Sequence, residues 1–413
     1  MKSFTFFTFN NFSIDDGGTI RMRGILNALA EKNQNVTLIS NTKIYHNFNP
    51  SVKHIYLNNR VSKQFARLFQ FTIALLPIGI SRKIFKKFTA KIEKIIKQEN
   101  LYNKSIIFFE YIDNSVAYFL KKQNIIKSYI SDTHGIAPLE FLHKHSENLY
   151  EKFINYLKFI VSVKLDKKVI LEANQKIFVS GSMKNYFEKN YPSIKSNNNM
   201  IIRDGVNSSL CKKNIDKRMV EIYKKQFLID EKDNVILFAG TFKDMGGVIN
   251  LLNAFNLLVK KKKRLNVKLI LLGAGERYNN SINFVKKNHL EGKAFFAGRT
   301  VYSELKNYQE LADIIICPDV QHPYSELVPH VKYFDSLSSG KIVINGSFAS
   351  VLEINIDERF SINFKPSDDL DLVNKIEMVL DNLDSYKKKY KDNQKIVCTK
   401  FTYNQFLKEL IED

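Results

Sequence analysis

Lys332 and Asp335 stand three residues apart in the run Ser325-Glu-Leu-Val-Pro-His-Val-Lys-Tyr-Phe-Asp-Ser-Leu-Ser-Ser-Gly340. That spacing puts an ammonium and a carboxylate on one helix face. Pro329 suits a first helical turn and Gly340 a helix end. As an isolated i, i+3 ion pair the two would contribute only about 0.2–0.5 kcal/mol. Their position matters more: the β-rich run Ile314–Cys317 ends just before a loop carrying Glu326. Loop N–H groups, a lysine and two carboxylates therefore converge on one crevice at a strand C-terminus. Upstream, Val235–Ala239 leads through Gly240 and Thr241 into a loop with Lys243 and Gly246-Gly247 ahead of a helix. Such a loop can cradle a diphosphate, although Gly-Gly before a helix occurs in many α/β chains.

Two further strand ends carry polar groups. Near the N-terminus, Asp15-Asp16-Gly17-Gly18-Thr19 precedes a helix containing Arg21 and Arg23. Glycines permit a sharp turn and a helix N-terminus attracts anions; an ordinary βα turn reads the same way. The spacing is not GxGxxG, and no acidic residue ends the second strand, which argues against a dinucleotide site. In Ser131-Asp132-Thr133-His134-Gly135 the histidine is placed to face a cleft, with a satisfied surface histidine as the alternative. His143 and His145 lie two apart, on different helix faces, so no metal site is expected.

The elements that must position these residues alternate. Strand candidates are Phe4–Phe9, Val36–Ile39, Ile106–Glu110, Tyr129–Thr133 and Ile177–Ser180, then Met200–Arg203, Val235–Ala239, Lys268–Leu272, Ala294–Phe296, Ile314–Cys317 and Ile342–Asn345. Helical spacing fills the intervals, for example Ile20–Lys32, Val248–Lys262 and Leu327–Ser338. The alternation predicts an α/β protein of parallel sheets covered on both faces. The polar stretch Tyr191–Asn199 divides it into two doubly wound, Rossmann-like domains, 1–195 and 196–399, with a C-terminal helix about 400–413 packing back on the first. Ligands in such sheets bind beyond the strand carboxyl ends, which in two facing domains border a shared cleft.

Composition sets the partners. The 413 residues hold 63 Lys and Arg against 42 Asp and Glu, a formal charge of +21, with 44% hydrophobic residues. A buried core is assured, and an anionic partner is indicated: nucleic acid, a membrane surface or a phosphorylated substrate. Cys211, Cys317 and Cys398 are widely spaced, which argues against a disulfide scaffold or a cysteine zinc cluster and fits a reducing compartment. The N-terminus makes a poor signal peptide, and the apolar run Leu68–Ile80 is too short and broken to span a bilayer. A cytoplasmic protein is expected.

From end to end the chain resembles a family 4 retaining glycosyltransferase, one of the group 1 glycosyl transferases with the GT-B architecture. The matching strings are Gly17-Gly18 with Arg21, Asp132-Thr-His-Gly135, Glu172 through Val179-Ser180-Gly-Ser-Met183, and Arg203-Asp-Gly-Val-Asn207. They continue in Phe238-Ala-Gly240, Leu272-Gly-Ala-Gly-Glu276, Phe296-Ala-Gly-Arg299 and Pro329-His-Val-Lys-Tyr-Phe-Asp335 with Gly340-Lys341. The resemblance implies transfer of a sugar from a nucleotide sugar, UDP- or GDP-linked, in the cleft between the two domains, with no cofactor and no metal. It implies Asp335 on the ribose hydroxyls, and Glu326 with the Ser325–Leu327 backbone near the donor sugar. It also implies Lys243 and Lys332 on the leaving diphosphate and His134 beside the donor sugar. Gly240, Thr241 and Arg299 complete the donor side, while Gly17, Gly18, Arg21 and Asp132 shape the acceptor side. Three departures from the family pattern involve four positions. Asp335 stands where a second glutamate is usual and Glu326 is one place early; Thr241 replaces an arginine and Gly246 a lysine. The diphosphate contacts therefore move to Lys243, Arg299 or Lys332.

Ten of the basic residues fall between Arg60 and Lys97 against one acid, Glu93, for a net +9. Over Arg82–Lys97 the apolar residues Ile84, Phe85, Phe88, Ile92, Ile95 and Ile96 share one helical arc. Arg82, Lys83, Lys86, Lys87, Lys91 and Lys94 occupy the other. Beside the Leu68–Ile80 run this reads as a membrane-docking helix, with an inward-packed domain helix as the alternative. The expected enzyme is thus a cytoplasmic, peripherally membrane-bound transferase with a lipid-linked or surface-polysaccharide acceptor. Competing readings are an epimerase or phosphorylase of the same architecture, or a non-enzymatic basic scaffold. Nucleic-acid binding lacks any helix-turn-helix, zinc-finger or RNP motif.

Overall fold

The computed structural model describes residues 2–42, 48–58, 61–109, 111–144, 146, 148–196 and 198–412. Arg60, Glu110 and His145, which figured in the sequence reading, lie outside the described residues. The chain forms two compact units, Met1–Arg203 with Phe406–Asp413, and Asp204–Gln405.

The first unit contains β1 (Ser3–Thr8), β2 (Asn35–Ser40), β3 (Lys53–Tyr56), β4 (Ile106–Phe108), β5 (Tyr129–Thr133), β6 (Gln175–Phe178) and β7 (Met200–Ile201). They build a parallel sheet in the order β3-β2-β1-β4-β5-β6-β7. The second unit contains β8 (Asn234–Ala239), β9 (Val267–Leu272), β10 (Ala294–Gly298), β11 (Ile314–Cys317), β12 (Ile342–Gly346) and β13 (Ile362–Phe364), ordered β10-β9-β8-β11-β12-β13 and again parallel. Every expected strand is present. The strand at Met200 closes the first sheet instead of opening the second, because its ladder partner is β6. The unexpected β3 and β13 are short edge strands without an apolar run to announce them.

Both faces of the second sheet are covered, which explains its nearly unbroken apolar strands. Ile236, Phe238, Leu269, Leu271, Ile314 and Ile316 join one core. Their immediate neighbours Val235, Leu237, Ile270, Leu272, Ile315 and Cys317 join another on the opposite face. The strand order reverses between β1 and β4 in the first sheet and between β8 and β11 in the second. These are the topological switch points where an open α/β sheet leaves a crevice.

Two expectations are corrected. Cys211 and Cys398 form a disulfide, joining positions 187 residues apart. No local spacing could signal this pair; the fold brings the helices Ser208–Lys212 and Asn393–Lys400 together. The segment Arg82–Lys97 is not one exposed amphipathic helix. It breaks at Phe85 between helices Ile78–Ile84 and Lys86–Gln98. Phe85, Phe88, Ile92 and Ile96 are buried in the first unit's core. All six basic residues, Arg82, Lys83, Lys86, Lys87, Lys91 and Lys94, are exposed.

Candidate active site

The crevice between β8 and β11 is shaped by glycines. Gly247 takes the left-handed conformation at φ +68°, and a Cβ there would lie 1.7 Å from the Pro318 carbonyl oxygen. Only glycine lets the β8 loop meet the β11 loop this closely. A Cβ on Gly246 would lie 2.8 Å from the Thr241 carbonyl, so a lysine could not occupy that position in this loop. Val320 N–H donates to the Met245 carbonyl at 3.1 Å, stitching the two loops. Thr241 and Lys243 remain exposed at the rim. Asp244, beside Lys243, is gripped by Arg277 through two nitrogens, one at 2.9 Å.

Lys332, near the start of helix Val331–Leu337, reaches into this crevice. Its Nζ donates to Asp319 Oδ1 at 2.7 Å and lies 5.5 Å from the Phe238 ring centroid. His330 Nε2 is 3.6 Å from the same Asp319 oxygen. Burial pushes the His330 imidazole below its usual range, the Asp319 carboxylate opposing the shift and Lys332 adding to it.

Asp335 lies one turn on and is buried. Its Oδ1 accepts from the Tyr302 hydroxyl at 2.6 Å, and Gln309 Nε2 donates to its backbone carbonyl at 2.9 Å. Burial, then the Asp335 charge and its hydrogen bond, hold the Tyr302 phenol well above its ordinary value; a hydrogen bond with the Asn207 side chain opposes this. Asn207, Tyr302 and Asp335 thus form a polar group one turn from Lys332. Its neutral donors and single carboxylate suit a hydroxyl-bearing ligand, while the lysines and loop N–H groups suit a phosphate.

Glu326 bridges loops. Its Oε1 accepts from Gln321 Nε2 at 2.7 Å and its Oε2 from the Ala349 N–H at 2.8 Å. Ser325 is fully buried, and its Oγ has no hydrogen-bond partner among the described residues. Leu327 N–H closes a turn onto the Tyr324 carbonyl at 3.0 Å. Arg299 is exposed just beyond β10. The structure therefore gathers Gly240, Thr241, Lys243 and Lys332 at the β8–β11 crevice, with Asp335 in the adjoining polar group. Asp319, His330 and Tyr302 were not singled out from sequence. Asp319 follows β11 by two residues, so the strand-end rule alone could have found it; Tyr302 carries no such signal.

In the first unit Asp16 caps the helix Gly17–Glu31. Its Oδ1 accepts from Thr19 N–H at 2.9 Å, and Thr19 Oγ1 accepts from Asp16 N–H at 3.0 Å. Gly17 and Gly18 are the first helical residues, and their N–H groups have no partner within the helix's own ladder. Arg21 and Asp132 form a buried two-bonded ion pair, at 2.9 and 3.2 Å, each side chain 1% exposed. Arg21 also donates to the Ile202 carbonyl at 3.0 Å. The pair ties the first helix to β5 and β7, so both side chains brace the fold instead of presenting themselves to an acceptor. His134 Nδ1 stands 3.9 Å from Asp132 Oδ2 with part of its ring exposed. Among the described residues no group of three or more His, Cys, Asp or Glu could hold a metal ion.

Residues 219–396 match the family described as Glycosyl transferases group 1. No curated protein matches the chain. Among solved structures, sucrose-phosphate synthase from Thermosynechococcus elongatus is similar at a TM-score of 0.75 and 15% identity, over 100% of this chain and 98% of that one. Anabaena HepE in complex with UDP and glucose follows at 0.72 and 12%, over 99% and 98%. WaaG, a glycosyltransferase involved in lipopolysaccharide biosynthesis, stands at 0.67 and 12%, over 97% and 98%. The β8–β11 crevice lies within the matched segment, and the likeness in fold extends over both units. The second unit accordingly carries a domain that matches the Glycosyl transferases group 1 family, and the two units have the Rossmann-like fold of the GT-B structures to which the chain is similar.

Proposed function

We propose that the enzyme is a family 4 type transferase that moves a sugar from a UDP- or GDP-linked donor, with retention of anomeric configuration, to a lipid-linked or surface-polysaccharide acceptor. The carrying observation is the β8–β11 crevice, where Lys332 and Lys243 adjoin a glycine-built loop and Asp335 is held one turn away by Tyr302. In this reading the two lysines and the loop N–H groups stabilise the charge that develops on the departing diphosphate. Asp335 takes the ribose hydroxyls with Tyr302 as its support. The Ser325 hydroxyl, buried without a partner, turns to the donor sugar. His134 contributes from the first unit, and Gly17 and Gly18 line the acceptor side. No side chain is assigned as a nucleophile, and the nucleotide sugar is the co-substrate.

The acceptor side of the proposal draws on the surface of the first unit. Among the described residues no helix is long and apolar enough to cross a membrane. Leu68, Leu75, Leu76, Ile80 and Ile84 are exposed beside Arg67, Arg82, Lys83 and Lys87. Apolar residues fringed by cations suit peripheral binding to an anionic cytoplasmic leaflet. A thermal-shift screen of UDP- and GDP-sugars tests the donor. One of them should raise the melting temperature, since a ligand that binds only the folded state stabilises it by mass action. Absence of any shift across the panel would sink the donor assignment.

A further inference from the structure

The helix Leu149–Glu172 carries an outward stripe that the function just proposed leaves unexplained. Positions 149, 153, 156, 160, 164, 167 and 171 recur every three or four residues and share one face. Asn155, Val161, Ser162, Leu165, Val169 and Ile170 are buried on the other. The first two turns of the stripe are strongly apolar in water: Leu149 is 82% and the adjacent Tyr150 73% exposed, and Phe153 and Tyr156 are exposed as well. Further along, the same face turns basic. Lys164 and Lys167, with Lys122 and Lys168, line a cavity of about 410 Å³ whose walls include Ala74 and Leu171.

Four lysines and one glutamate line that cavity. Glu172 is already engaged by Lys122, and its carbonyl by Lys121 at 2.6 Å. Lys168 donates to the Ile73 and Ala74 carbonyls at 2.9 and 3.0 Å. Burial, with the neighbouring Lys164 charge, holds its ammonium below the ordinary value. An anion in the cavity would relieve this crowding of positive charge. Leu171 lines it, and Leu75 and Leu76 follow the lining residue Ala74 in the chain; all three leucines are exposed. Cations beside exposed leucines match a phosphate that carries acyl chains better than a free ion.

We propose that this face lies on an anionic bilayer. Leu149, Tyr150, Phe153 and Tyr156 enter the interfacial layer, and a phospholipid phosphate sits in the lysine-lined cavity. The inference rests on the reading that the enzyme works at a membrane surface and names the element that touches it. The stripe, at about 1.5 Å per residue, runs roughly 33 Å along the surface. Aromatic side chains at its apolar end and lysines at the other are the composition of an interfacial helix.

Vesicle flotation tests it, using equimolar phosphatidylcholine and phosphatidylglycerol against phosphatidylcholine alone. The wild-type chain should float with the anionic vesicles. Phe153→Ser with Tyr156→Ser, and separately Lys164→Glu with Lys167→Glu, should each reduce partitioning about tenfold or more. The chain contains no tryptophan. Tyr150→Trp therefore supplies a single reporter whose emission should shift to the blue on vesicles and be quenched by brominated lipid. A wild-type chain that floats while this reporter stays in water overturns the inference and leaves the membrane reading standing. No flotation at all defeats both. Two outcomes reassign the face: a concentration-dependent dimer abolished by Phe153→Ser with Tyr156→Ser would give it to a second copy. Thermal stabilisation by inorganic phosphate without vesicle binding would reduce the cavity to an ion site.

Discussion

Lys332 and Asp335 share a helix face, yet in the folded chain they take different partners. Lys332 turns to Asp319 across the crevice, and Asp335 turns to Tyr302. Their substitutions should therefore strand different groups. Lys332→Ala should weaken donor binding about 10- to 100-fold, the range for losing one charge-assisted hydrogen bond, and should lower the melting temperature by leaving the buried Asp319 carboxylate without its cation; calorimetric titration of the nucleotide sugar measures the first effect. Asp335→Ala should weaken binding similarly and also lower the melting temperature, because the half-buried Tyr302 phenol loses its acceptor. Near-wild-type donor affinity in both would remove them from the site. Asp166 offers a test of another kind. Burial, with the Glu140 carboxylate adding to it, pushes its carboxyl from 3.8 up to about 8. Between those values the folded chain keeps a proton that the unfolded chain releases, so stability falls as pH rises through that window. Asp166→Asn should therefore melt above wild type at pH 8 by a few degrees, the gap closing toward pH 4; parallel gaps at both pH values would refute the shift.

At the scale of elements, the Arg21–Asp132 pair joins the helix Gly17–Glu31 to β5 and, through the Ile202 carbonyl, to the end of β7. Removing one member leaves an uncompensated buried charge, which costs about 3–5 kcal/mol. Arg21→Leu should lower the stability of the first unit by that order in chemical denaturation. Arg21→Leu combined with Asp132→Leu should recover part of the loss, whereas additive losses would show that the pairing is not what matters. The helix Lys86–Gln98 illustrates a limit of pattern reading at this scale. Its apolar arc and its lysines are both visible in the sequence, but whether such an arc meets a core or a bilayer depends on what lies across from it. Phe9, Phe65, Phe69 and Phe119 supply the answer here by packing against Phe85 and Phe88.

For the whole molecule, the Cys211–Cys398 bond closes nearly all of the second unit, Asp204–Gln405, into one covalent loop. A loop of this length restricts the unfolded chain, for a stabilisation of about 5 kcal/mol in the chain-entropy account. A reductant, or Cys398→Ser, should lower the melting of the second unit correspondingly while leaving the first unit's transition in place. Alkylation of both cysteines without prior reduction would show the bond absent. The alternation of apolar runs with helical patterns was enough to predict two parallel sheets, since strands covered on both faces must be continuously hydrophobic. The strand-end rule likewise located Gly240, Lys243 and Lys332, because backbone direction alone places loops at the sheet's carboxyl edge. What only the tertiary structure decided were relations between residues distant in sequence: the disulfide, Tyr302 beneath Asp335, Asp319 opposite Lys332, and the withdrawal of Arg21 and Asp132 into each other. It also decided which apolar faces stay in water, burying the arc of Lys86–Gln98 and leaving Leu149, Tyr150 and Phe153 exposed. Local spacing determines which side chains share a face, but whether that face is covered depends on chain segments brought from elsewhere.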